Sequence, residues 1–251
     1  MIGPLALHGG GEFLAGDEPF LRRLLELATV AANRHSGAAR DAAAGTPTVR
    51  VELLTTAVAR HRPEAAFAAG SSALQQVAAG PDARPIDVRH ARVVDAASAA
   101  DPDVVDRLAR ADLVYLPGGD PDAVVKILAG TPAWRSVEAA RAGGAVVAGA
   151  SAGAMALGER TWTRDGYVAG FGWAGRLVVV PHASAERMAP MRRVVDALPG
   201  GADLSVLGLP ERTGVIGGPG AWTVVGAAGA WWWPPHAAAP RAVPLGSPIR
   251  D

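Results

Sequence analysis

Short apolar runs alternate with amphipathic ones over the first two-thirds of the chain. Pro4-Leu5-Ala6-Leu7-His8 reads as a strand that ends in Gly9-Gly10-Gly11. Leu21, Leu24, Leu25 and Ala28 share one face of a helix predicted over residues 18–32, and residues 34–47, rich in Arg, Ala, Gly and Ser, read as a surface loop. A second strand is expected over 49–55, a helix opened by Pro63 runs towards Ala79, and 86–88 is a weak third strand. Asp101-Pro102 supplies an N-cap and a first-turn proline for a helix through Arg110. Leu113-Val114-Tyr115-Leu116 is a strand ending at Pro117-Gly118-Gly119-Asp120, and helical stretches over 122–129 and 132–142 lead into another strand at 145–148. This β-α alternation predicts an α/β three-layer sandwich, with a mostly parallel central sheet covered by helices on both faces.

Farther along, the pattern changes. Residues 177–180 form a clear strand and 186–198 a helix. The runs 222–225 and 230–233, separated by Gly-Ala-Ala-Gly, read as an antiparallel hairpin at the sheet edge. Residues 234–251 are proline-rich and are expected to be irregular. No internal repeat or linker interrupts the chain, so one catalytic domain over 1–251 is expected.

Composition narrows the functional classes. Lys plus Arg equals Asp plus Glu, 24 each, so no net field favours nucleic acid or an acidic surface. The absence of cysteine removes disulfides, thiolate metal sites and a cysteine nucleophile. The N-terminus lacks a basic segment followed by an apolar core, which argues against a secretory signal. With no uninterrupted apolar run of about 20 residues, no membrane span is expected and a cytoplasmic location is the default.

The chemistry concentrates in Gly149-Ala150-Ser151-Ala152-Gly153, which follows the strand at 145–148 and precedes the helix-forming 154–157. A Gly-x-Ser-x-Gly at a strand-to-helix turn is a nucleophile elbow, with the serine held in a strained backbone and its hydroxyl exposed. An acyl-transfer serine needs two amides for the oxyanion: Ala152 N–H is the natural first, and the Gly118–Gly119 turn is the candidate for the second. Among six histidines, His182 ends an apolar strand in the same topological position as Ser151, whereas His35, His61 and His90 read as surface residues. His8 could line the site, and His236 lies in the tail. For the acid that orients the base, Glu211 is favoured, with Asp165, Asp196 and Asp203 as alternatives. Gly118, Asp120 and Arg187 are candidate substrate contacts, and Arg192 and Arg193 are further candidates for a substrate carboxylate. Of three consecutive tryptophans at 231–233, alternation along a strand should leave at least one exposed or covered by a partner, and a homodimer interface would cover it.

Taken together, Gly9-Gly10-Gly11, Tyr-Leu-Pro-Gly-Gly-Asp at 115–120, Gly-Ala-Ser-Ala-Gly-Ala at 149–154, Pro181-His182 and Gly-Leu-Pro-Glu-Arg-Thr at 208–213 resemble the dipeptidase E and cyanophycinase family of serine peptidases. The resemblance covers about residues 4 to 230 and implies a class I glutamine-amidotransferase-like, flavodoxin-like fold with no metal or cofactor. It implies a Ser-His-Glu order, carried here by Ser151, His182 and Glu211, with Gly119 and Ala152 as oxyanion donors. The α/β-hydrolase order places the acid before the histidine and would need a late histidine such as His236, which makes an esterase of that type one rival. A non-catalytic binding or scaffold protein is the other. Cyanophycinases carry Gly-Gly-Asp-Gln, where this chain has Gly118-Gly119-Asp120-Pro121, and Asp-Gln before the histidine, where it has Val180-Pro181. These departures argue against a β-aspartyl-arginine substrate and leave a small peptide or amide as the expected class.

Overall fold

The computed structural model describes residues 1–37, 47–80 and 85–250. In chain order the elements are β1 (Leu5–His8), α1 (Glu18–Gly37), β2 (Val49–Leu54), α2 (Pro63–Ala78), β3 (Ile86–Ala91), α3 (Pro102–Ala109), β4 (Leu113–Leu116), α4 (Pro121–Leu128), α5 (Pro132–Ala142), β5 (Val146–Ala150) and α6 (Ala152–Leu157). There follow β6 (Arg160–Thr163), β7 (Gly166–Ala169), β8 (Leu177–Pro181), α7 (Ala185–Met188), α8 (Met191–Asp196), β9 (Ser205–Leu209), β10 (Thr213–Gly218), β11 (Ala221–Gly226), β12 (Ala230–Trp233), β13 (Arg241–Val243) and β14 (Pro248–Arg250). The expected loop at 34–47 begins later than anticipated, because α1 continues to Gly37; most of the remainder lies outside the described residues.

Among the described residues these strands form two mixed sheets. The larger runs β14-β11-β10-β1-β5-β4-β2-β3, with β1, β5, β4, β2 and β3 mutually parallel and β10, β11 and β14 antiparallel at one side. One face of it packs Leu53, Tyr115 and Ala148 against Phe20, Leu24 and Leu74 of α1 and α2. The other packs Leu7, Leu116 and Val147 against Leu108, Val124 and Trp134 of α3, α4 and α5. The second sheet runs β13-β12-β9-β8-β6-β7, with β9, β8 and β6 parallel. Its strand β8 is apolar throughout because both faces are covered. Leu177 and Val179 join the central core, while Val178 and Val180 pack with Met188 and Val195 under α7 and α8.

Three expectations are corrected. β11 and β12 do not pair with each other: β11 lies between β10 and β14 in the larger sheet, and β12 between β9 and β13 in the smaller. The antiparallel hairpin at the edge is β10–β11, extended by β14. The tail is not wholly irregular, since β13 and β14 are short edge strands, where a proline such as Pro248 is tolerated. The helix expected over 186–198 is split into α7 and α8, with Pro190 between them as the N-cap of α8.

Candidate active site

Ser151 sits between β5 and α6 with φ 45° and ψ −104°, a conformation L-residues rarely adopt. The glycines around it are required by close approach. A Cβ on Gly149 would lie 2.5 Å from the Gly153 carbonyl carbon, and one on Gly153 would lie 2.4 Å from the Leu116 carbonyl oxygen. His182, just after β8, and Arg212, in the turn after β9, also have positive φ, 51° and 55°. These three strained residues hang on consecutive carbonyls of the turn after β1. Ser151 N–H donates to His8 O (2.8 Å), His182 N–H to Gly9 O (2.8 Å) and Arg212 N–H to Gly10 O (2.7 Å). One glycine-rich segment thus ties together the carboxyl ends of β5, β8 and β9, strands drawn from both sheets.

This framing brings the predicted side chains into line. Ser151 Oγ lies 3.1 Å from His182 Nε2, and His182 Nδ1 lies 3.1 Å from Glu211 Oε1. The imidazole is 37% exposed and the Glu211 carboxylate 50%, so the line opens to solvent on its acid side. Arg212 Nη2 is 3.9 Å from the other Glu211 oxygen. The Gly118–Gly119 turn abuts the serine: a Cβ on Gly118 would be 3.2 Å from Ser151 Cβ. Ala152 opens α6, so its N–H has no acceptor within the helix. Asp120 caps α4 by accepting from Asp122 N–H (3.0 Å), and its second oxygen is 4.0 Å from Arg60. Arg187 is exposed on α7, whereas Arg192 is buried and donates to Asp196, Leu204 O and Gly201 O.

The other histidines take different places. His8 lies beneath the cleft, 0% exposed, with Nε2 3.0 Å from the buried Asp17 Oδ1, close but poorly aligned for a hydrogen bond. Its Nδ1 accepts from Gly10 N–H (3.3 Å), and Asp17 Oδ2 accepts from Phe13 N–H (2.9 Å). His90 is half-buried, 2.8 Å from Thr55 Oγ1 and stacked on Phe67, and burial lowers its pKa. His35 packs against the buried Asp112 (2.8 Å), while His236 is 74% exposed near Asp203. Of the alternative acids, Asp196 is held by Arg192 and Asp203 by Arg176. Sequence reasoning missed Glu12, whose Oε1 accepts from Gly118 N–H at 2.6 Å, and Asp17. The signal for Glu12 was its position directly after the triple glycine.

The profile of peptidase family S51 matches residues 84–215, more than half of the chain. The chain belongs to this family. As a family S51 member it is a serine-type peptidase. Its fold is similar to the crystal structure of a peptidase from an acI-B1 actinobacterium, with TM-score 0.75 and 23% identity over 100% of this chain and 98% of that one. It is also similar to a candidate peptidase E protein from Listeria monocytogenes EGD-e, with TM-score 0.58 and 13% identity over 89% of this chain and 98% of that one. No curated protein matches the sequence. Among the described residues no helix is long and apolar enough to cross a membrane, and no three His, Asp or Glu side chains are grouped to hold a metal ion.

Proposed function

We propose that this family S51 peptidase cleaves a small peptide or amide through an acyl-enzyme on Ser151, with His182 as base and Glu211 as its orienting acid. The observation that carries the reading is the continuous line from Ser151 Oγ through His182 to Glu211, with both contacts at 3.1 Å. Ser151 Oγ attacks the carbonyl carbon as its proton passes to His182 Nε2. The Gly119 and Ala152 amides hold the oxyanion, and collapse breaks the C–N bond as His182 protonates the leaving nitrogen. Water then attacks the ester, gives a proton to His182, and frees the acid as that proton returns to Ser151 Oγ. The scheme requires no cofactor. Gly118 and Asp120 at the turn and Arg187 on α7 are the proposed substrate contacts, with Arg187 suited to a carboxylate. Because β5 of one sheet and β8 and β9 of the other each supply one member, both sheets work as a single catalytic domain.

A fluorophosphonate probe tests this on wild type, Ser151→Ala and His182→Ala. Labelling of wild type is expected to vanish in Ser151→Ala and to slow by roughly 10⁴-fold or more in His182→Ala. A folded wild-type protein that does not label, or a His182→Ala variant that labels normally, would sink the reading.

A further inference from the structure

The Gly118–Gly119 turn has little of its own to hold it in shape. β4 ends at Leu116 and α4 begins at Pro121, and between them lie a proline without an N–H and two consecutive glycines, the residues with the widest backbone freedom. The turn is clamped from two sides instead. Asp120 N–H donates to Ala57 O (2.7 Å), and Gly118 N–H donates to Glu12 Oε1 (2.6 Å). Of the Gly118, Gly119 and Asp120 amides, only Gly119 N–H has no acceptor among the described residues. A Cβ on Gly118 would meet Glu12 Oε1 at 2.8 Å and Ser151 Cβ at 3.2 Å, so carboxylate and serine flank the same glycine. Glu12 is itself set by the turn after β1. Two residues before it Gly10 O receives Arg212 N–H, and one residue after it Phe13 N–H donates to the buried Asp17 Oδ2 (2.9 Å). Among the described residues the half-buried Glu12 carboxylate forms no ion pair, and the Gly118 amide is its one hydrogen-bond partner.

We propose that Glu12 is a positioning residue for the oxyanion site: by taking the Gly118 amide it fixes the Gly118–Gly119 backbone and leaves Gly119 N–H to face the oxyanion. The proposal rests on Ser151 being the nucleophile and Gly119 the second oxyanion donor. Without the clamp, the Gly118 peptide is free to turn its own N–H towards the serine, and Gly119 N–H no longer aims where the charge develops. A donor has to be in place before the oxyanion forms, because reorienting it during the reaction costs part of the stabilisation it supplies. An ionised acceptor makes the clamp short and strong. The negative charge does not otherwise help, since it stands beside the forming oxyanion and repels it. What the site uses is the reach of the side chain, from the segment that also holds Ser151 and His182 to the turn beside the serine.

Three variants separate reach from charge. Glu12→Gln keeps the reach and removes the charge, Glu12→Asp keeps the charge on a shorter arm, and Glu12→Ala removes the acceptor. Fluorophosphonate labelling rates are measured on wild type and all three, and the Gly118 amide is followed by NMR through its chemical shift and hydrogen exchange. Loss of one oxyanion donor costs about 10²–10³-fold. Glu12→Asp and Glu12→Ala should therefore label about 10²-fold more slowly, while Glu12→Gln stays within about tenfold of wild type. The Gly118 amide should lie downfield and exchange slowly in wild type, remain protected in Glu12→Gln, and lose protection in Glu12→Asp and Glu12→Ala. A purely structural Glu12 would lower the melting temperature and leave the labelling rates alike, which overturns the proposal. So does Glu12→Asp labelling as fast as Glu12→Gln, or Glu12→Gln falling as far as Glu12→Ala. If the shortened variants do not fold, a Gly118 amide that exchanges freely in wild type, or Glu12→Gln slowed by more than about tenfold, still overturns it. Wild-type labelling that needs Ser151 and His182 but not Glu12 removes this role and keeps the serine-hydrolase reading. A wild type that fails to label overturns both.

Discussion

Gly10→Ala tests whether the turn after β1 fixes His182, the proposed base. A Cβ at Gly10 would lie 2.2 Å from His182 Cε1, 2.7 Å from Nε2 and 2.9 Å from Nδ1. Non-bonded carbons rest at about 3.5–4.0 Å, so the imidazole must retreat by roughly 1.3–1.8 Å. Its contact to Ser151 Oγ is 3.1 Å, and a shift of that size breaks it. A misplacement of about 1 Å costs on the order of 10²-fold, and complete loss of the base about 10⁴-fold, so fluorophosphonate labelling should slow by about 10²–10⁴-fold. The backbone makes a separate contribution. Gly10 has φ 109°, and alanine there should cost about 1–3 kcal/mol, or several degrees of melting temperature. Gly16→Ala supplies the control, with φ 94° and a nearest contact of 3.5 Å, to Arg212 Cδ. It should share the melting penalty and keep the labelling rate. If Gly10→Ala labels within about threefold of wild type while melting like Gly16→Ala, the turn does not set the position of His182 and the reasoning fails.

Glu211→Gln keeps an acceptor for His182 Nδ1 and removes the charge; because the carboxylate is 50% exposed, labelling should slow by about 10–10²-fold, and an unchanged rate would remove Glu211 from the triad. Trp232→Ala should cost about 3–5 kcal/mol in denaturant unfolding, and the half-buried Trp231→Ala less; a mass by light scattering unchanged in both would remove the interface reading, and a halved mass in either would support it. Burial lowers the pKa of His90, helped by the Arg92 and Arg107 charges and opposed by Glu64, so the unfolded chain takes up a proton there more readily than the native one. Its contribution is therefore present above the unfolded pKa of about 6.5 and is lost as pH falls through the lower native value. His90→Gln should lose less melting temperature than wild type between about pH 7.5 and 5, and parallel curves would contradict the assignment.

Much of the larger sheet was legible because its parallel strands are continuous apolar runs separated by amphipathic helices, and each step of that pattern is local. The edges were not. Residues 222–225 and 230–233 carry the local signature of a hairpin, but their partners are β10 and β9, and the chain crosses between sheets at residues 227–229. No spacing rule within that segment distinguishes the two outcomes. The three tryptophans divide as alternation requires, with Trp232 and Trp233 buried and Trp231 half-buried. Trp232 points to the central core and Trp231 and Trp233 to the cluster under α7 and α8, so both faces of the second sheet take tryptophan, a covering that spacing within the segment does not reveal. Ser151, His182 and Glu211 were legible because each stands at or just after the carboxyl end of a strand, the place where open α/β sheets gather their sites. Glu12 was not, since its importance depends on a turn 106 residues away.

The turn after β1 then does more than connect a strand to a helix. β1 lies between β5 and β10 in the larger sheet, and the carbonyls of residues 8, 9 and 10 receive the N–H groups of Ser151, His182 and Arg212. Each of those three donors is held at positive φ, a backbone state costing on the order of 1–3 kcal/mol, so each hydrogen bond opposes a strain that would otherwise relax. The buried His8–Asp17 pair lies under the same turn, with His8 Nδ1 on the Gly10 N–H and Asp17 on the Phe13 N–H. The next side chain, Glu12, reaches the Gly118 turn. The position of the proposed nucleophile and base, and the contact that holds the Gly118 turn, therefore share residues 8–12 as one reference. Displacement of this segment should alter rate and substrate preference together, whereas changes confined to α7 or the Asp120 cap should alter preference alone.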